Sequence, residues 1–166
     1  ILLTIKLKKM IRSFEKNLLL KINFSNKFLT IKQKYTNNNC ENQVFKKDEI
    51  LNVFKQINIY CQYRVGGGYV IKKSYSEYDF QLMFDIKYNV PLMYFEIIKN
   101  GKFVESGLTQ FASTLRELPY DETLLNSNFR LNTLSDLKNY IKDMIALFDE
   151  FVCEYCKEID AGNVPE

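Results

Sequence analysis

Histidine is absent from the 166-residue chain. Without an imidazole there is no Ser-His-Asp or Cys-His arrangement to activate a nucleophile, and a zinc site would have to be built from thiolates. Long apolar runs are missing as well. A Lys or Arg recurs every few positions through the N-terminal region, so nothing approaches the ~20 apolar residues that cross a bilayer. The first ten residues, apolar and lysine-rich, have no small-residue cleavage site, and Arg and Ser are too scarce there for a transit peptide. No secretory or organellar leader is therefore expected, and Met10 is an alternative start. Four cysteines with no other sign of secretion then read as reduced thiols in a cytoplasmic protein.

What is present begins with charge. Residues 1–35 hold nine Lys or Arg against the single acid Glu15, which gives them +8 and leaves −5 for the rest. Leu18, Leu19, Leu20 and Ile22 interrupt the basic run as a buried strand or helix would, so the charges read as the solvated face of a structured element. Cys153-x-x-Cys156 is half of a zinc-site spacing, and Cys40 and Cys61 are the only other thiols that could complete it. Gly66-Gly67-Gly68 has the flexibility of a phosphate loop but no following Lys-Ser/Thr, so it reads as a turn and no cofactor is expected. Nucleic acid is not expected either: Tyr60, Tyr63 and Tyr69 could stack on bases, yet the basic residues lie in another segment.

The periodicities define one α+β domain, since 166 residues at 46% hydrophobic support a single core. Residues 36–43 form a polar linker. Ile50, Leu51, Phe54 and Ile57 recur at helical spacing behind Asp48, a capping residue, and predict a helix over 48–57. A meander follows. Ile59, Cys61, Tyr63 and Val65 alternate as the inward side of a first strand, and the glycines turn the chain into Tyr69-Val70-Ile71. Phe80, Leu82, Phe84 and Ile86 point inward from the next strand, with Asp79, Gln81, Met83 and Asp85 outward. Pro91 opens a strand over 92–98, apolar on both faces apart from Glu96 and therefore expected at the centre of the sheet, and Asn100-Gly101 makes a hairpin. Residues 133–158 predict a long helix whose stripe runs from Leu134 to Tyr155, started by a Thr133–Asp136 capping box. The result is an antiparallel sheet of four or five strands packed against a long C-terminal helix, with Cys153 the more exposed of the helical thiols.

Tyr78, Asp79, Tyr88, Val90, Pro91, Tyr94 and Phe95, followed by Gly101 and Leu108, form a set with a recognisable order. It resembles the autophagy branch of the ubiquitin-conjugating-like enzymes, over residues 46–108. The resemblance implies a ubiquitin-conjugating-like domain over 46–160, preceded by a basic N-terminal element and linker (1–45) and followed by a tail (161–166) expected to fray. It also implies a protein partner: a ubiquitin-like modifier, its activating enzyme or a target. Members of that family carry a His-Pro-Cys tripeptide, shortly before a later helix, whose cysteine takes the modifier as a thioester. In this chain the corresponding segment is 127–133, where Leu131 falls in the nucleophile slot and Phe129 and Arg130 replace the His-Pro pair.

Three readings stay open. The first is a diverged, catalytically inactive member that binds the modifier or its conjugation partners. The second keeps a transferase that acts through a cysteine thioester, with Cys153 recruited from the C-terminal helix, although Asp149, Glu150 and Glu154 nearby disfavour a thiolate. The third is a small non-enzymatic interaction protein, such as a toxin-neutralising immunity protein, with an acidic sheet surface facing a basic target.

Overall fold

The computed structural model describes residues 10–35, 44–66, 68–86, 88–125 and 128–165. Segments 1–9 and 36–43, and with them Cys40, lie outside the described residues, as do Gly67 and Ser127. The basic N-terminal element is a pair of helices, α1 (Ser13–Lys21) and α2 (Phe24–Gln33). Asn23, in the left-handed region at φ 54°, breaks one from the other. After α3 (Lys47–Gln56) comes the sheet: β1 (Gln62–Arg64), β2 (Gly68–Tyr75), β3 (Tyr78–Asp85), β4 (Leu92–Lys99) and β5 (Lys102–Phe103). Every pairing is antiparallel and the spatial order is β1-β2-β3-β4-β5, a sequential meander. A short α4 (Phe111–Thr114) and two single 3₁₀ turns lead to α5 (Leu134–Asp160). The α+β architecture read from the periodicities is the one observed.

One core holds these elements together. Phe80, Leu82 and Phe84 of β3 are fully buried, and Met93, Phe95 and Ile97 of β4 lie beside them by register. Their partners come from α5: the Phe95 ring meets Phe148 at 5.2 Å and Phe151 at 4.7 Å, and Phe80 meets Tyr155 at 5.1 Å. Fully burying one such side chain is worth about 1.5–3 kcal/mol, so this inner face is the main source of stability. Helices α1, α2 and α3 also contact α5, and Leu18, Leu19, Phe24 and Phe28 belong to the same core as the sheet. On the opposite face Lys72, Ser74 and Asp85 are exposed, whereas Gln81, expected outward, is buried, as is Val70.

Four local expectations are corrected. The first strand is only three residues long, and Val65 is 94% exposed rather than inward, because the chain is already turning toward Gly66 (φ 77°). β3, not β4, is central: the Asn100-Gly101 hairpin adds β5, and Val104 and Thr109 extend the pairing, so β4 is covered on its second edge without being the middle strand. Asp48 does not cap α3; the Glu49 carboxylate reaches back to accept from the Lys46 backbone N–H at 2.8 Å. Leu134, the first residue of α5, is 39% exposed, and packing begins at Leu137, with Tyr140 and Leu147 as further buried positions.

Both ends of α5 are closed. Thr133 accepts from the Asp136 N–H at 3.0 Å, while the Asp136 carboxylate accepts from the Thr133 N–H at 3.1 Å, the expected capping box. At the other end Gly162 (φ 71°) donates to Ile159 and Asn163 to Glu158, a Schellman turn that folds Val164 against the core. The tail is therefore packed through Val164 where fraying was expected.

Candidate functional site

The segment expected to hold a nucleophile lies between the end of α2 and the turn before β4. Arg130 donates its backbone N–H to the Tyr35 carbonyl at 3.1 Å, and Leu131 donates to the Asn89 carbonyl at 2.8 Å. These two bonds place Phe129 and Leu131 inward. Leu131 is 0% exposed and Phe129 3%, while Arg130 turns outward and donates from Nη1 to the Phe129 carbonyl at 2.7 Å. The alternation of a short extended run is enough to explain this, with two apolar side chains on one side and a cation on the other. Asn89 is itself buried, and Pro91 beside it is buried too.

Around Phe129 the packing is aromatic. Its ring meets Tyr140 at 5.1 Å and Tyr35 at 6.5 Å, and Tyr35 meets Tyr140 at 5.7 Å. Lys32 of α2 lays its ammonium over the same ring at 5.1 Å and over Phe28 at 5.6 Å. Burial holds the Lys32 pKa below its ordinary value, and burial also pushes Tyr35 up to about 12 and Tyr140 higher still. A cavity of about 60 Å³ remains between Phe129, Tyr140, Lys32 and the Val90–Met93 strand entry. Outside it, Tyr88 (53% exposed), Val90 (36%) and Leu92 (38%) present an apolar rim to solvent. Among the described residues that line this cavity there is no thiol, carboxylate or imidazole; they offer a closed floor and an apolar rim.

Cys153 is elsewhere. It sits exposed on α5, where Asp149, Cys153, Cys156 and Asp160 follow one another at helical spacing along a stripe beside β2. Lys73 of β2 pairs with Asp149, and the Tyr75 hydroxyl donates to Asp160 at 2.8 Å. Burial raises the Cys156 thiol, and the neighbouring Cys153 and Asp160 raise it further. Burial likewise pushes the Cys61 thiol up to about 12, with a smaller opposing contribution from a Val70 backbone hydrogen bond. A reactive thiol needs the opposite shift. Cys61, on the approach to β1, and the α5 thiols belong to different elements, and among the described residues no group of three or more His, Cys, Asp or Glu is placed to hold a metal ion. No helix among the described residues is long and apolar enough to cross a membrane.

One feature escaped the reading from sequence: the first turn of α2, where Asn23, Ser25 and Asn26 line a separate cavity. The cluster Asn-Phe-Ser-Asn carries the residue types of a helix start, which is the signal that could have revealed it. No family model, curated protein or solved structure matches the chain.

Proposed function

We propose that the protein is a diverged, catalytically inactive relative of the autophagy-type conjugating enzymes, one that binds a ubiquitin-like modifier or its conjugation partners without forming a thioester. The observation that carries this reading is Leu131. It occupies the nucleophile slot implied by the resemblance, beside the Asn89–Pro91 turn, and it is a fully buried leucine hydrogen-bonded through its backbone. A modifier arriving there would meet the exposed side chains of Tyr88, Val90 and Leu92, a surface suited to contact rather than to chemistry. The meander beneath the site and the helix after it follow the element order of a ubiquitin-conjugating-like domain, which also supports the reading.

The test pairs chemistry with binding. Purified protein incubated with an activating enzyme and its charged autophagy-type modifier is expected to form no reducible adduct, while Tyr88→Ala with Val90→Ser weakens a directly measured complex with the modifier or the activating enzyme. An adduct abolished by Cys153→Ser would establish a transferase with a relocated thiol instead. Absence of any complex with either protein would leave the non-enzymatic interaction module, of the immunity-protein kind, as the better account.

A further inference from the structure

Helix α2 and its C-cap carry three lysines, of which α5 neutralises two. Lys27 pairs with Glu150 and Lys34 with Asp143. Lys32, between them in sequence, reaches instead toward Phe129 and the entry of β4. Its ammonium lies over the Phe129 ring at 5.1 Å and the Phe28 ring at 5.6 Å, and among the described residues it has no carboxylate partner. Burial lowers its pKa, and no acid lies near enough to offset that. A partly buried cation without a counter-charge is costly, and two ring faces return only part of the cost.

Lys32 lines the cavity of about 60 Å³ behind the Tyr88–Leu92 rim. The lining holds this one cation and no anion, and the Tyr140 hydroxyl in it is already engaged, donating to Met93 Sδ at 3.5 Å. Val90 and Leu92 belong both to the lining and to the exposed rim, so the cavity opens where the apolar surface faces solvent. A single water needs about 10–15 Å³ of such space, so there is room for about four water-sized groups, the size of the –CH2–COO⁻ end of an acidic side chain.

We propose that the rim docks a partner protein through a Glu or Asp side chain that enters this cavity and pairs with Lys32, while apolar side chains of the same segment cover Tyr88, Val90 and Leu92. Charge complementarity selects this occupant, since the wall presents one cation and no anion. A phosphorylated side chain brings close to two negative charges and a bulkier head, more than one ammonium and this space match. In an extended segment, side chains two positions apart share a face, so the pattern recognised is an acid with an apolar residue two positions to either side. The inference rests on the reading that a protein docks at this rim and adds the chemistry of its contact; it does not depend on that protein being a ubiquitin-like modifier.

Amide NMR on the full chain with short peptides tests it. Acetyl-Leu-Ser-Glu-Ser-Leu-amide should shift the Val90, Leu92 and Ala112 amides saturably, and the same peptide with glutamine for glutamate should bind about tenfold more weakly, the effect of losing one hydrogen bond between charged groups. Lys32→Met keeps an unbranched stem between the two rings without the charge; it should bind both peptides alike, at the weaker affinity. Equal binding of the two peptides by the wild-type chain, or no response to either at millimolar concentration, would overturn the proposal, and so would a preference for glutamate that survives in Lys32→Met. A glutamine peptide with a free C-terminal carboxylate that binds more tightly than the glutamate peptide would also overturn it, by assigning the cavity to a chain end. Neither modifier nor activating enzyme is present, so the two readings fail separately. Peptides that do not bind, beside a measured complex with the modifier, would strike this contact alone; bound glutamate peptide with no such complex would keep the contact and strike the modifier.

Discussion

Leu131 shows how one side chain separates a structural position from a catalytic one. A cysteine that carries a thioester must be reached by a large partner, whereas this position is fully buried and held through its backbone N–H by the Asn89 carbonyl. Leu131→Ala should cost about 2–5 kcal/mol, read as a lowered urea midpoint with an unchanged slope. The thiol introduced by Leu131→Cys should stay unmodified by a thiol reagent in the folded protein while Cys153 reacts, because one is buried and the other exposed. Rapid labelling at position 131 would show an open slot and return the site to chemistry. The inward direction of Leu131 was legible in the alternation of Phe129, Arg130 and Leu131, but the depth of burial was not. It depends on the Tyr35 and Asn89 carbonyls, which come from segments far apart in sequence.

At the scale of elements, the hairpins and helices were legible where a local rule sufficed. The Asn100-Gly101 turn, with φ 49° and 75°, is what a two-residue hairpin demands, and the capping box at Thr133 needed only its two residues. The break between α1 and α2 was not legible, because Asn23 takes a left-handed conformation with neither Gly nor Pro to signal it. β1 was over-extended for a related reason: alternation continues through Val65, but only three register pairs form before the glycine turn. Two glycines show where backbone crowding fixes the fold. A Cβ on Gly68 would stand 2.2 Å from the Phe84 carbonyl oxygen, and one on Gly107 would stand 2.1 Å from that of Met10, whereas Gly66 has nothing within 4 Å. All three have positive φ, so Gly66→Ala should cost only the left-handed penalty of about 1–2 kcal/mol. Gly68→Ala and Gly107→Ala should each cost clearly more, measured by equilibrium urea unfolding, because backbone atoms cannot yield as a flexible side chain does. Equal midpoints for all three variants would mean that the β2–β3 and 10–12/106–107 contacts are looser than this packing requires.

At the scale of the fold, part of the uneven charge of the sequence is compensated internally. Lys21 pairs with Glu154, Lys27 with Glu150 and Lys34 with Asp143, so the basic face of α1 and α2 lies along the acidic side of α5. The same compactness sets the response to pH. A chain without histidine has no imidazole to titrate near neutrality, so stability should change little from about pH 6 to 8. Above that range burial takes over: the Cys61 thiol and the Tyr35 and Tyr69 hydroxyls keep their protons to about 12 in the folded protein, and Tyr140 and Tyr155 hold theirs longer. An unfolded chain releases the same protons at about 8.5 for Cys and about 10 for Tyr. The folded state then binds more protons than the unfolded one, and the sign follows: stability is complete below the unfolded values and falls as pH rises toward the folded ones. Tm should therefore decline steadily from about pH 9 to about pH 12, and tyrosinate absorbance should rise together with the loss of helical circular dichroism rather than ahead of it. An unchanged Tm at about pH 11, or tyrosinate formation well before unfolding, would show that the ring cluster linking α2, the sheet and α5 admits water.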